Sequence, residues 1–65
     1  SEVSVSPVAG GVVLTAPCEA EATVLTLSGQ TVLTRLCPAG TTRVALPAGM
    51  YLVRVGSETS KVVVR

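Results

Sequence analysis

The sequence predicts an all-β fold, a sandwich or barrel of about seven short strands. β-branched residues dominate its 65 residues, and Gly, Pro or Ser interrupts them roughly every eight to twelve residues. No stretch keeps apolar residues at helical spacing for three turns without a Gly or Pro, so we expect no helix. The predicted strands are Val3 to Ser6, Gly11 to Ala16, Ala22 to Leu27, Thr31 to Cys37, Thr41 to Leu46, Met50 to Val55 and Ser60 to Val64.

Turn residues separate these strands in order. Pro7 and the Gly10-Gly11 pair close the first strand, and Pro17 closes the second. The segment Leu27-Ser28-Gly29-Gln30 predicts a short hairpin between the third and fourth strands, with Gly29 supplying the positive φ of a tight turn. A second, longer hairpin is predicted from Val55 to Lys61, with Gly56 starting its turn.

Alternation of side chains assigns a core face to the last three strands. In the fifth strand, Arg43 and Ala45 lie on the face away from the core. In the sixth strand, Arg54 lies on the face away from the core. The residues assigned to the core faces are Thr42, Val44, Leu46, Tyr51, Val53, Val55, Val62 and Val64.

The last strand, Lys61-Val62-Val63-Val64-Arg65, is predicted to be an edge strand flanked by cations. Lys61, Val63 and Arg65 would then face away from the core. The pattern alone favours an ordinary protected edge, but an accessible edge is also suited to recognition by strand addition. Such an apolar edge leaves dimerisation open.

Length and composition predict one domain, residues 1–65, of marginal stability. Apolar residues make up 48% of the chain and aromatic residues 2%, so Val, Leu and Ala must form the core around Tyr51. The chain begins at Ser1 without Met or a signal-peptide pattern, which we interpret as a piece of a longer protein.

Charge is sparse and nearly balanced, with five Lys or Arg residues against four Glu residues. This balance argues against a nucleic-acid partner or an anionic membrane surface. No run approaches the roughly 18 apolar residues of a membrane span, so direct membrane insertion is not expected.

Catalysis is not expected, because the chain has no His, Asp, Asn or Trp. Glu19 and Glu21 are interpreted as solvated side chains, and Tyr51 as a core residue with its hydroxyl at the rim. The two cysteines have no histidine to generate a thiolate. We therefore expect no catalytic residue, no metal and no cofactor.

Cys18 and Cys37, with eighteen residues between them, favour a disulfide in an oxidising compartment. Closing such a loop contributes roughly 3 kcal/mol in the chain-entropy treatment. Two free buried thiols are the alternative, and a metal site is weaker because two thiols cannot fill a tetrahedral shell.

Three segments, in order, resemble the type A C-terminal sorting domain of the bacterial type IX secretion system. They are the Ser28-Gly29 turn, Leu46-Pro47-Ala48-Gly49-Met50-Tyr51 and the terminal Lys61 to Arg65. The resemblance covers roughly residues 22–65. The chain departs from the family before the Ser-Gly turn, where Leu25 and Thr26 replace an aromatic residue and an Asp or Asn.

The resemblance implies an immunoglobulin-like antiparallel β-sandwich that acts as a secretion signal for its parent protein. Its implied partners are the outer-membrane translocon, a shuttle β-barrel protein and a sortase-like cysteine peptidase. The implied route runs through the periplasm to the outer membrane, the cell surface or secretion. It implies structural roles for Gly29, Leu46, Pro47, Gly49 and Tyr51, and recognition by Lys61, Val62, Val63, Val64 and Arg65.

The alternative interpretation is an immunoglobulin-like structural spacer or an accessory binding module of a secreted enzyme or adhesin. A spacer should tolerate changes in its last strand, whereas a sorting signal read at that strand should not. Carbohydrate binding would need exposed aromatic side chains that stack on sugar rings. The chain has one aromatic residue, Tyr51, and its pattern predicts that it lies in the core.

Overall fold

Alternating apolar segments form seven antiparallel strands in the computed structural model, which describes residues 3–65. Residues 1 and 2 of the predicted domain lie outside the described residues. The strands are β1 (Ser4–Val8), β2 (Gly11–Ala16), β3 (Ala20–Thr26), β4 (Thr31–Cys37), β5 (Gly40–Ala45), β6 (Gly49–Val55) and β7 (Glu58–Val64). Over residues 3–65 no helix is long and apolar enough to cross a bilayer.

The strands pack as two antiparallel sheets, face to face. One sheet has the order β1-β2-β5, and the other has the order β4-β3-β6-β7. The predicted all-β sandwich of seven strands is therefore confirmed. Strands β1 and β5 form the edges of the smaller sheet, while β4 and β7 form the edges of the larger one.

The core lies between the sheets and is aliphatic apart from Cys37 and Tyr51. The core residues predicted from alternation in the last two strands are confirmed, because Val53, Val55, Val62 and Val64 are all buried. No polar or charged side chain among residues 3–65 is buried. The cluster comprises Val12, Leu14, Ala22, Val24, Cys37, Val44, Leu46, Tyr51, Val53, Val55, Val62 and Val64.

Strand β1 extends further than the sequence predicted. Pro7 lies inside it, opposite Val12 of β2, instead of ending it. Proline is tolerated because β1 is an edge strand, where a missing N–H need not interrupt a ladder.

The hairpin between β6 and β7 is tighter than predicted. Val55 pairs with Glu58, which leaves only Gly56 and Ser57 in the loop. Gly56 has a φ of 60°, and no residue other than glycine has a positive φ in residues 3–65. This combination is typical of a type II′ turn, whose twist matches that of the flanking strands and lets β7 start early.

The predicted disulfide is wrong in this structure, because Cys18 and Cys37 are both free thiols. The residue opposite Cys37 across the β3–β4 ladder is Ala20, so Cys18 is offset by two residues into the preceding loop. Cys18 is exposed, whereas Cys37 points into the core. The Cys37 thiol lies 3.9 Å from the backbone oxygen of Arg35, on its own strand.

Candidate recognition site

Strand β7 lies at an edge of the four-stranded sheet and pairs only with β6 there. Its side chains alternate as predicted: Val62 and Val64 are buried, while Lys61 and Val63 are exposed. Arg65, the next residue, is also exposed. The strand therefore offers two cations with an apolar side chain between them, together with one backbone edge.

Lys61 and Val63 face apolar neighbours in β6. Lys61 lies opposite Leu52, and Val63 lies opposite Met50. Both Val63 and Met50 expose nearly half of their surface, 45% and 47%. The outer face of the sheet beside β7 is thus apolar with a cationic border, because no carboxylate stands opposite either Lys61 or Val63.

An open groove of about 660 Å³ runs beside the free edge of β7. Its second wall is β1 of the other sheet, an arrangement that follows from the two edge strands lying on the same side of the sandwich. The groove is lined by Val5, Pro7, Val8, Ala9, Lys61, Val62, Val63 and Arg65. The polar side chains that line the groove are Lys61 and Arg65, both on the wall formed by β7 and the residue after it.

Backbone hydrogen bonds hold the end of β7 in place. The N–H of Gly10 donates to the carbonyl of Arg65 at 3.1 Å, and the N–H of Leu46 donates to the carbonyl of Gly10 at 2.9 Å. The guanidinium of Arg43 also donates to the carbonyl of Ala9 at 2.8 Å. The β1–β2 turn therefore joins the terminal residue to the start of the Leu46–Tyr51 segment.

The Leu46–Tyr51 segment forms a corner between the two sheets. The Tyr51 hydroxyl donates to the carbonyl of Pro47 at 2.8 Å, the bond that defines the tyrosine corner of immunoglobulin-like sandwiches. Gly49 lies between them with a φ of 155°, and a β-carbon there would lie 3.5 Å from the Tyr51 hydroxyl. The spacing of Leu, Pro, Gly and Tyr is thus explained by the fold itself.

The Ser28-Gly29 hairpin turn forms as predicted, with a φ of 98° at Gly29. Thr26 organises it: its hydroxyl accepts from the Gln30 N–H at 3.1 Å and lies 2.9 Å from the Ser28 hydroxyl. Its backbone N–H and carbonyl bond to Gln30 and Gly29. Thr26 therefore supplies the side-chain oxygen that bonds within this turn, as short polar side chains commonly do in turns.

All three motif segments lie at one end of the sandwich. Thr26, which precedes the Ser28-Gly29 turn, pairs with Tyr51, and Tyr51 pairs in turn with Val62. Gly49 pairs with Val64. Strand β7 and the residues predicted to be structural are therefore joined across adjacent strands.

Sequence reasoning missed the wall that β1 contributes to the groove. Val5 and Val8 are half-buried there, although no site residue was predicted in the first strand. No sequence signal could have predicted this wall, because β1 and β7 belong to different sheets. The spacing of residues does not show which edge strands of two sheets lie on the same side of a sandwich. Glu19 and Glu21 are exposed, as interpreted, and neither lines this groove; Glu19 directly precedes β3, and Glu21 is its second residue.

Comparisons of the chain with protein-family models, with curated proteins and with solved structures give no match. The fold and the site define a class, a small β-sandwich module with an exposed edge strand and an apolar groove beside it. The exposed edge and its groove are the features of this module that bear on its function.

Proposed function

We propose that this chain is a C-terminal sorting domain, a folded address that the type IX translocon reads for export of the parent protein. The observation that carries the proposal is the edge position of β7, with Lys61, Val63 and Arg65 on its solvent side. These are the residues for which the resemblance implies recognition. An accessible edge offers backbone groups for affinity and alternate side chains for specificity.

The motif placement supports the same proposal. Gly29 and the Leu46–Tyr51 segment shape the end of the sandwich at which β7 finishes. A receptor that reads this end would meet a rigid backbone, since Gly10 fixes the Arg65 carbonyl. In this proposal the translocon and the shuttle β-barrel protein bind the folded module, and the sortase-like peptidase performs the covalent chemistry on the parent.

The experiment is export of a periplasmic reporter that carries this chain at its C-terminus, in a host with a working type IX system. The test variant combines Lys61→Glu with Arg65→Glu. Both side chains are exposed and all buried valines are kept, so the module should stay folded. We expect surface delivery to fall at least about tenfold, because two cations that face the receptor become anions.

The matched control combines Arg35→Glu with Arg54→Glu, which changes the net charge equally at exposed positions away from the groove. Circular dichroism of the purified chains checks that each variant is folded. Equal export of the test and control variants would contradict the sorting proposal. That result would leave the immunoglobulin-like spacer as the better interpretation.

A further inference from the structure

The groove between β1 and β7 is an open concave surface of about 660 Å³ that is lined by residues of both strands. Strand β1 pairs with β2 and strand β7 pairs with β6, and β1 and β7 belong to different sheets even where their Cα atoms approach within 8 Å. The Gly10–Arg65 hydrogen bond closes one end of the groove, while the rest stays open. An extended chain matches this space better than a compact ligand does, because the lining offers valines and backbone edges.

The two walls of the groove differ in what they offer. Strand β1 carries Pro7, which has no N–H, so this wall is poor at continuing a hydrogen-bonded ladder. It contributes apolar side chains instead, from Val5 and Val8. Strand β7 has no proline and presents a regular edge. A strand entering the groove would therefore pair with β7 and pack its inner side chains on β1.

The charges on β7 disfavour a second copy of this chain as the occupant. Antiparallel self-pairing centred on Val63 sets Lys61 opposite the second copy's Arg65, and pairing centred on Lys61 sets two lysines opposite each other. Pairing centred on Val62 puts each Lys61 diagonal to two cations of the second copy. Like charges at these positions are destabilising, so each of these registers is penalised.

We propose that the groove binds an extended acidic segment of a partner protein, which adds as an antiparallel strand to the free edge of β7. Two carboxylates of that segment, four residues apart, face Lys61 and Arg65, and a small side chain between them faces Val63. The alternate side chains are apolar and fill the groove against Val5 and Val8. The proposal deepens the sorting function by naming the chemistry of the receptor segment, and rests on that function for its biological role.

The test is a titration of the isotope-labelled chain, followed by NMR, with an end-blocked peptide of sequence Thr-Val-Glu-Val-Thr-Val-Glu-Val-Thr. We expect amide shifts along β7 and in β1. Replacing both glutamates of the peptide by glutamine should weaken binding about tenfold, as should the Lys61→Glu, Arg65→Glu double variant. The Arg35→Glu, Arg54→Glu variant should bind as the unchanged chain does.

N-methylation separates strand addition from loose charge attraction. In an antiparallel ladder, alternate residues of the added strand point both of their backbone groups at its neighbour. Of two peptides methylated on the odd or on the even amides, one should lose binding and the other should retain it. Equal binding of the two methylated peptides, or shifts spread over other strands, would overturn the proposal.

The outcome for the peptide and the outcome for export are independent. Absence of peptide binding, with export still sensitive to Lys61→Glu and Arg65→Glu, would overturn this inference and leave the sorting function standing. If the chain binds the peptide but directs no export, the sorting function is contradicted, and only the proposal that the groove binds an acidic strand is supported.

Discussion

Tyr51 contributes the polar atom that organises the rim of a core that is aliphatic apart from Cys37 and Tyr51 itself. Its ring is buried, and its hydroxyl reaches back four residues to the carbonyl of Pro47 at the sandwich rim. The hydroxyl thereby fixes the path of the chain from the smaller sheet to the larger one. The residues between them shape the corner, so Pro47, Gly49 and Tyr51 form one structural unit.

Tyr51→Phe should lower the stability of the module by about 1 kcal/mol, because the ring is kept and one hydrogen bond is lost. For a domain of this length that is a fall in melting temperature of roughly 4–8 °C. Thermal unfolding followed by circular dichroism measures it. Tyr51→Leu is the comparison and should cost more, since it also removes the ring; an unchanged melting temperature in Tyr51→Phe would mean that the corner bond contributes nothing.

The two cysteines should behave differently towards a thiol reagent. Cys18 is exposed and should react with a maleimide in the folded chain, whereas Cys37 is buried and should react only after unfolding. Mass spectrometry of the labelled chain, with and without urea, counts the modified thiols. Addition of a reductant should leave the melting temperature unchanged. If neither thiol reacts until a reductant is added, the two cysteines are bonded to each other, which would contradict this prediction.

At the scale of the element, β7 combines a buried core face with the exposed face for which we propose recognition. The two functions are separated by the strand's period of two, which puts Val62 and Val64 inside and Val63 outside. Sequence variation on the outer positions therefore leaves the core intact. This separation makes it possible to change the recognition side without unfolding the module.

Val62→Ala should destabilise the chain by about 2 kcal/mol, because two methyl groups leave a buried site that is only 4% exposed. Val63→Ala removes the same atoms at a position that is 45% exposed and should change stability by less than about 0.5 kcal/mol. Urea unfolding of both variants gives the comparison. Similar losses in the two variants would contradict the alternation on which the recognition side depends.

Much of the element scale could be predicted from the sequence, because β-branched alternation and turn residues act locally. The second and fourth strands were placed with their bounds, and the core faces of β6 and β7 were correct. The errors arose where distant parts of the chain decide. Pro7 is tolerated only because β1 is an edge, and Cys18 misses Cys37 because the β3–β4 register opposes Cys37 to Ala20. The groove could not be predicted either, because the sequence does not show which edge strands of the two sheets lie next to each other.

On the scale of the whole molecule, the chain forms a small sandwich with a radius of gyration of 10.5 Å. A compact chain of 65 residues is expected at about 11 Å. Four of its seven strands are edges, which is a hazard for association. The cations of β7 are one protection against this hazard, since they disfavour self-pairing while leaving the edge open to an acidic partner.

Neutralising that protection should change the association state. The unchanged chain should sediment as a monomer at micromolar concentration, because antiparallel self-pairing of β7 centred on Lys61, Val62 or Val63 brings cations together. Lys61→Ser with Arg65→Ser removes the repulsion and keeps Val62 and Val64 buried, so we expect concentration-dependent dimers or larger species in analytical ultracentrifugation. Arg35→Ser with Arg54→Ser lowers the net charge equally and should stay monomeric. If the control variant associates to the same extent, the effect is caused by net charge and not by the position of the cations. If the unchanged chain forms dimers, Lys61 and Arg65 do not prevent self-pairing of β7.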